Sequence, residues 1–136
     1  MAMLDTTVLI DLARSPARPA HGLARAAIQR LLNSGQMLFT SRINEAEFRV
    51  GPEVCTDRQK ELDRVERVLA AFIILEFNSD AARRYATIKG VMMKKGRPVG
   101  DCDAMVAAVA LAHAQILITR NPRHFIDVPG LLVQSY

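Results

Sequence analysis

The sequence contains no tryptophan and only two cysteines, Cys55 and Cys102, which are far apart and form no Cys-x-x-Cys pair. That excludes a disulfide scaffold and a cysteine-rich zinc centre, and it fits a reducing cytoplasm. His21, His113 and His124 lack the spacing of metal-binding histidines, and no glycine-rich loop ends in Lys-Ser or Lys-Thr, so a P-loop phosphate site is excluded as well. Asp5 and Asp11 interrupt the apolar opening residues, and no uninterrupted apolar run could cross a bilayer. Neither a membrane span nor a secretory leader is expected. With two tyrosines and five phenylalanines, the chain also offers no aromatic RNA-stacking motif.

What remains is an ordinary globular composition. The chain has 136 residues, half of them apolar, with no repeat, linker or low-complexity tract, so a single domain over residues 1–136 is expected. Eighteen Lys and Arg against fourteen Asp and Glu give a net charge of +4, which permits attraction to a polyanion without requiring it.

Apolar strand candidates at Met1–Leu4, Met37–Thr40, Phe72–Leu75, Gln115–Thr119 and Leu131–Val133 alternate with helical stretches. Helices are predicted after the Thr6-Thr7 pair, from His21 to Leu32, from Ser41 to a stop at Gly51-Pro52, and from Asp57 to Ala71. Two more follow, one capped by Ser79 and an alanine-rich one from Asp101 to Ala114. The alternation predicts an α/β fold, a mostly parallel sheet of four to five strands flanked by helices in three layers.

In such a sheet ligands bind beyond the carboxyl ends of the strands. Asp5 ends the first strand there, Thr119 ends the fourth with Asn121 two residues on, Asp101 and Asp103 open the alanine-rich helix, and Glu45 and Glu47 lie on the helix after the second strand. Clustered carboxylates repel one another and resist desolvation, so they call for a hard divalent cation. Each residue also has a plain structural reading: Asp5, Asp101 and Asp103 suit helix starts, and Asn121 before Pro122 suits a turn. Residues two apart face different sides of a helix, so Asp101 and Asp103 should differ in role, and spacing alone does not choose between Glu45 and Glu47. The thiolate of Cys102, between two aspartates, is disfavoured. A haloacid-dehalogenase-type phosphatase would need a second aspartate at position 7, where Thr7 stands.

Four segments carry a resemblance across the whole chain: Met3-Leu4-Asp5-Thr6-Thr7-Val8-Leu9-Ile10, Ser41 to Gly51, Gly96 to Ala108, and Leu117 to Phe125 followed by Val128-Pro129-Gly130-Leu131. In this order and spacing they resemble the PIN-domain family, and most closely the VapC-type toxin ribonucleases. The resemblance implies a PIN-like α/β/α fold and an endoribonuclease using Mg²⁺ or Mn²⁺ held by Asp5, Glu47 and Asp103, with Asn121 orienting a ligand and Thr6, Thr7 and Thr119 in support. It further implies an RNA substrate, an antitoxin protein as partner and a homodimer. Asn44 stands where threonine is usual, Glu45 rivals Glu47, and Asp101 is an additional carboxylate. The basic run Lys94, Lys95 and Arg97 is a candidate RNA contact or a solvated loop. The alternative reading is a catalytically weak module of the same fold that binds RNA or protein.

Overall fold

The computed structural model describes all residues from Met1 to Tyr136. The strands are β1 (Ala2–Leu4), β2 (Phe39–Ser41), β3 (Ile73–Leu75), β4 (Ile116–Ile118) and β5 (Val133–Gln134), and the helices α1 (Thr6–Ala13), α2 (Pro19–Asn33), α3 (Arg42–Val54), α4 (Arg58–Leu69), α5 (Ser79–Lys94) and α6 (Asp101–Ala112). All strand pairs are parallel, in the order β3-β2-β1-β4-β5. The order reverses at β1, which lies between β2 and β4. A crevice therefore opens past the carboxyl ends of β1 and β4.

Strand side chains alternate between faces, and two separate cores result. Met3 and Leu117 point into a core shared with Ile88 and Met92 of α5 and Ala104, Ala107 and Ala108 of α6. Their neighbours Ala2, Leu4 and Ile118 point the other way, toward Val8 and Leu9 of α1, Ala24 of α2, Phe48 of α3 and Val65 of α4. Helix α6 is apolar almost all round, and its residues from Val106 to Ala110 are buried, as expected of a helix enclosed in a core.

Several boundaries differ from the sequence reading. Helix α2 starts at Pro19, whose missing N–H costs nothing at a first helical position. Helix α3 continues through Gly51-Pro52, three residues from its end, where buried Pro52 lies beside Phe48 and Val65. Asn78 caps α5 by accepting from the Ala81 N–H, in place of Ser79. Strand β5 pairs at Val133 and Gln134, two residues later than read. Beyond α5, Gly96 adopts a φ of 66°, and the N–H of Arg97 returns to the Met92 carbonyl, a turn that favours glycine.

A buried carboxylate with its partners ties distant segments together. Asp11 of α1 is fully buried. Arg120 Nη1 donates to both its oxygens at 2.6 and 2.7 Å, Tyr136 Oη donates at 2.6 Å, and Arg14 approaches to 3.3 Å. Burial and the bond to Asp11 push the Tyr136 hydroxyl well above its usual range, so it stays a donor. Removing one partner of a buried charge is strongly destabilising, whereas surface ion pairs contribute little. Arg120→Ala is therefore expected to lower the unfolding free energy by on the order of 3 kcal/mol. Arg97→Ala, which removes only an exposed pair with Asp127, should cost less than about 1 kcal/mol. Urea unfolding of the two variants checks this.

Candidate active site

The site begins with the cap of α3. Ser41 at the end of β2 accepts from the Asn44 N–H, and the Asn44 Oδ1 accepts from the Ser41 N–H, a reciprocal capping box. With its oxygen committed to the cap, Asn44 presents its Nδ2 hydrogens to Asp5 Oδ1 at 3.0 Å and Thr6 Oγ1 at 2.9 Å. Thr6, having accepted there, donates to Glu47 Oε2 at 2.5 Å. The asparagine is fully buried, so one side chain orients two carboxylates from one helix start.

The other oxygen of Asp5 is held from β4 and α1. Thr119 Oγ1 donates to Asp5 Oδ2 at 2.7 Å and accepts from the Asn121 N–H at 3.1 Å. Thr7 Oγ1 donates to the same oxygen at 3.2 Å and accepts from the Arg120 N–H. Asp5 stands at the cap position of α1 but makes no side-chain cap bond. Its carboxylate is turned to the crevice, which answers the capping reading of this residue.

Glu47 and Asp103 are partly buried, and desolvation first of all raises both carboxyls above their usual range. At Glu47 the Thr6 bond opposes this while the charges of Asp5 and Asp103 add to it; at Asp103 nearby His124 opposes it and Asp5 adds to it. The His124 ring Nδ1 lies 3.4 Å from Asp103 Oδ2. The three carboxylates thus share one field, although no three acidic, histidine or cysteine side chains stand close enough to form a closed ligand set. An all-oxygen donor set destabilised by its own charge fits a Mg²⁺-like ion, which takes one or two carboxylates and keeps waters.

The remaining sequence candidates separate clearly. Asp101 is exposed and turned to α5, where it pairs with Lys89 at 2.8 Å and accepts from Tyr85 at 3.3 Å, away from the other carboxylates. Glu45 is held by Arg42 and Arg49 rather than facing the crevice. The side chain of Asn121 makes no hydrogen bond, although its backbone is fixed to Thr119. Arg97 lines a pocket that includes Asp103, whereas Lys94 and Lys95 are exposed at the end of α5, outside it. The Cys102 thiol is pushed up by partial desolvation and then by Glu47, Asp103 and Asp101, so its thiolate is disfavoured as expected. Sequence reasoning missed the part played by Asn44, seen there only as an unusual substitution. It also missed His124, which no local spacing connects to Asp103, and the Asp11–Arg120–Tyr136 cluster.

The model of the PIN domain family matches residues 2–131. The tRNA(fMet)-specific endonuclease VapC of Shigella flexneri is 29% identical, the alignment covering 98% of this chain and 96% of that protein. A crystal structure of DNA-bound VapBC from Salmonella typhimurium superposes with a TM-score of 0.83 at 28% identity, covering 99% and 98% of the two chains. VapBC2 from Rickettsia felis, bound to a promoter DNA fragment, gives 0.87 at 21% identity over 99% and 98%, a likeness of fold.

The field at the crevice has a measurable consequence for stability without metal. A carboxyl raised in the folded state binds its proton more tightly there than in the unfolded chain. Stability therefore falls as pH rises from the ordinary carboxyl values, 4.5 for Glu47 and 3.8 for Asp103, through their raised folded ones. At Asp5 three donors meet the carboxylate oxygens. Glu47→Gln and Asp103→Asn are each expected to melt higher than the parent at neutral pH in EDTA. The gain should vanish below pH 3.8. Asp5→Asn, which turns an amide toward donors, should show no such gain, contrary to what crowding of charge alone suggests for that residue. Thermal melts across pH check all three.

Proposed function

The chain belongs to the PIN-domain family, and we propose that it is a metal-dependent endoribonuclease acting as one domain over residues 1–136, the toxin of a toxin–antitoxin pair. The observation that carries this reading is the hydrogen-bond chain that joins Asp5 to Glu47 through Asn44 and Thr6, with Asp103 coupled to both by charge. The relatives named as endonucleases, and the solved complexes of their kind, support it. An antitoxin protein is the proposed partner, a homodimer the proposed assembly and the cytoplasm the proposed location. No helix is long and apolar enough to cross a membrane.

Asp5, Glu47 and Asp103 would hold Mg²⁺ or Mn²⁺, which when bound supplies a neutralising charge for phosphate and lowers the pKa of water. The chain's own task is to hold the carboxylates correctly turned. Asn44, Thr7 and Thr119 surround Asp5 with donors, which fixes the plane of its carboxylate. Thr6 does the same for one oxygen of Glu47 and leaves the other free. Asn121, with a free side-chain amide beside this group, would orient substrate or water. No protein nucleophile is needed, and the disfavoured thiolate of Cys102 makes it a poor one.

Cleavage of RNA by the purified chain is expected to require Mg²⁺ or Mn²⁺ and to cease in excess EDTA. Glu47→Gln and Asp103→Asn should each lower the rate by about a thousandfold, roughly 4 kcal/mol of barrier. Glu45→Gln, which loosens only an ion network, and Cys102→Ser should stay within about tenfold of the parent. RNA binding without turnover in the parent would favour the alternative, a binding module of the same fold.

A further inference from the structure

The pocket that includes Asp103 also gathers basic side chains. It lies between the turn at Gly96 and the short 3₁₀ turn Pro122–His124, and its wall includes Arg97, Arg123, His124 and Asp127. Two of its basic side chains have partners. Arg97 Nη1 reaches both Asp127 oxygens at 3.2 and 3.3 Å, and His124 turns Nδ1 to Asp103, which leaves Nε2 without a partner. Arg123 pairs with no carboxylate, whereas Arg120, three residues before it, is paired through Nη1 with Asp11. The segment after β4 thus turns one arginine to buried Asp11 and leaves the next in the wall of the pocket that includes Asp103.

A ligand spanning both regions must suit carboxylates on one side and guanidinium groups on the other. A cation alone is repelled by Arg123, and an acidic peptide is repelled by Asp5, Glu47 and Asp103. A phosphodiester chain suits both, since one phosphate can be neutralised through a metal held by the carboxylates while the next needs a direct cation. Guanidinium groups bind phosphate with paired hydrogen bonds. The exposed Arg97–Asp127 pair is weak in water, so it opposes such binding little.

We propose that Arg123, together with Arg97 and the Nε2 edge of His124, forms a subsite for the backbone phosphate adjacent to the one cleaved. The proposal rests on the nuclease reading above and adds to it where the strand runs: from the carboxylates over the start of α6 toward the 3₁₀ turn. Because the contact is to phosphate, it contributes affinity and register without reading sequence.

The test uses the full chain and a single-stranded RNA oligonucleotide that the parent cleaves, with kinetics measured across a range of NaCl concentrations. Arg123→Ala is expected to raise KM about tenfold with kcat within about twofold, as for an interaction made equally in the ground and transition states. The log–log salt slope should flatten by about 0.7, the value for one phosphate contact on a single strand. Arg123→Lys should retain most of the slope, because the charge remains. Replacing the adjacent phosphate by an uncharged methylphosphonate should harm the parent and scarcely affect Arg123→Ala. An active parent whose Arg123→Ala variant keeps the salt slope and the same sensitivity to the methylphosphonate would overturn the subsite and leave the nuclease reading intact. A fall in kcat at constant KM would overturn it too, by assigning Arg123 to the chemistry. A parent that cleaves no RNA with Mg²⁺ or Mn²⁺ would overturn the nuclease reading, and the subsite with it.

Discussion

Crowding carboxylates at one end of a parallel sheet is unfavourable, and much of the polar structure answers that constraint. Two of the three carboxyls are raised by burial and by neighbouring carboxylates. The third is surrounded by an amide and two hydroxyls from three different elements. The neutral donors are themselves held by backbone groups: Asn44 by the Ser41 amide, Thr7 by the Arg120 amide, Thr119 by the Asn121 amide. Each hydroxyl therefore has its acceptor role filled, and its single proton is free for a carboxylate. The arrangement orients the group with neutral donors and places no lysine or arginine side chain among these hydrogen bonds, where it would compete with a metal ion.

The cationic cluster behind the site complements this. Arg120 is covalently continuous with Thr119 and supplies an N–H to Thr7, while its guanidinium is anchored on Asp11. The strand end that holds Asp5 is thereby fixed to α1 from two directions. Such a buried ionic anchor is not needed for stability as such, since an apolar set of equal volume can serve as well. Its directional bonds do fix where the loop after β4 lies, and with it the backbone of Asn121.

The layers, the parallel sheet and the strand-end position of Asp5 were legible because period-two and helical patterns are local properties. The choice between neighbouring acids was not, since residues two apart on a helix fall on different sides and either side can face inward. A local signal for Glu45 was nevertheless present: Arg42 and Arg49 stand three residues before and four after it, the spacing of helix ion pairs, and both engage it. Asp101 had a partner only across the fold, in Lys89 of the preceding helix. Asp11, Arg120 and Tyr136 are separated by 109 and 125 residues, and nothing short of the sheet order brings them together. The helix boundary at Gly51-Pro52 misled because a proline near a helix end forfeits little when its ring is buried.

The capping box of α3 links local order to the chemistry of the site. Helix ends ordinarily fray, and a first turn opens and closes many times before a protein unfolds. Here that opening would withdraw the oxygen partner that orients the Asn44 amide, and the hydrogens on Asp5 and Thr6 would be released with it. The α3 start and the Asp5–Glu47 pair therefore form one cooperative unit. Hydrogen exchange at the backbone amides of Ser41 and Asn44 would report how often the site is assembled, in the absence of any substrate.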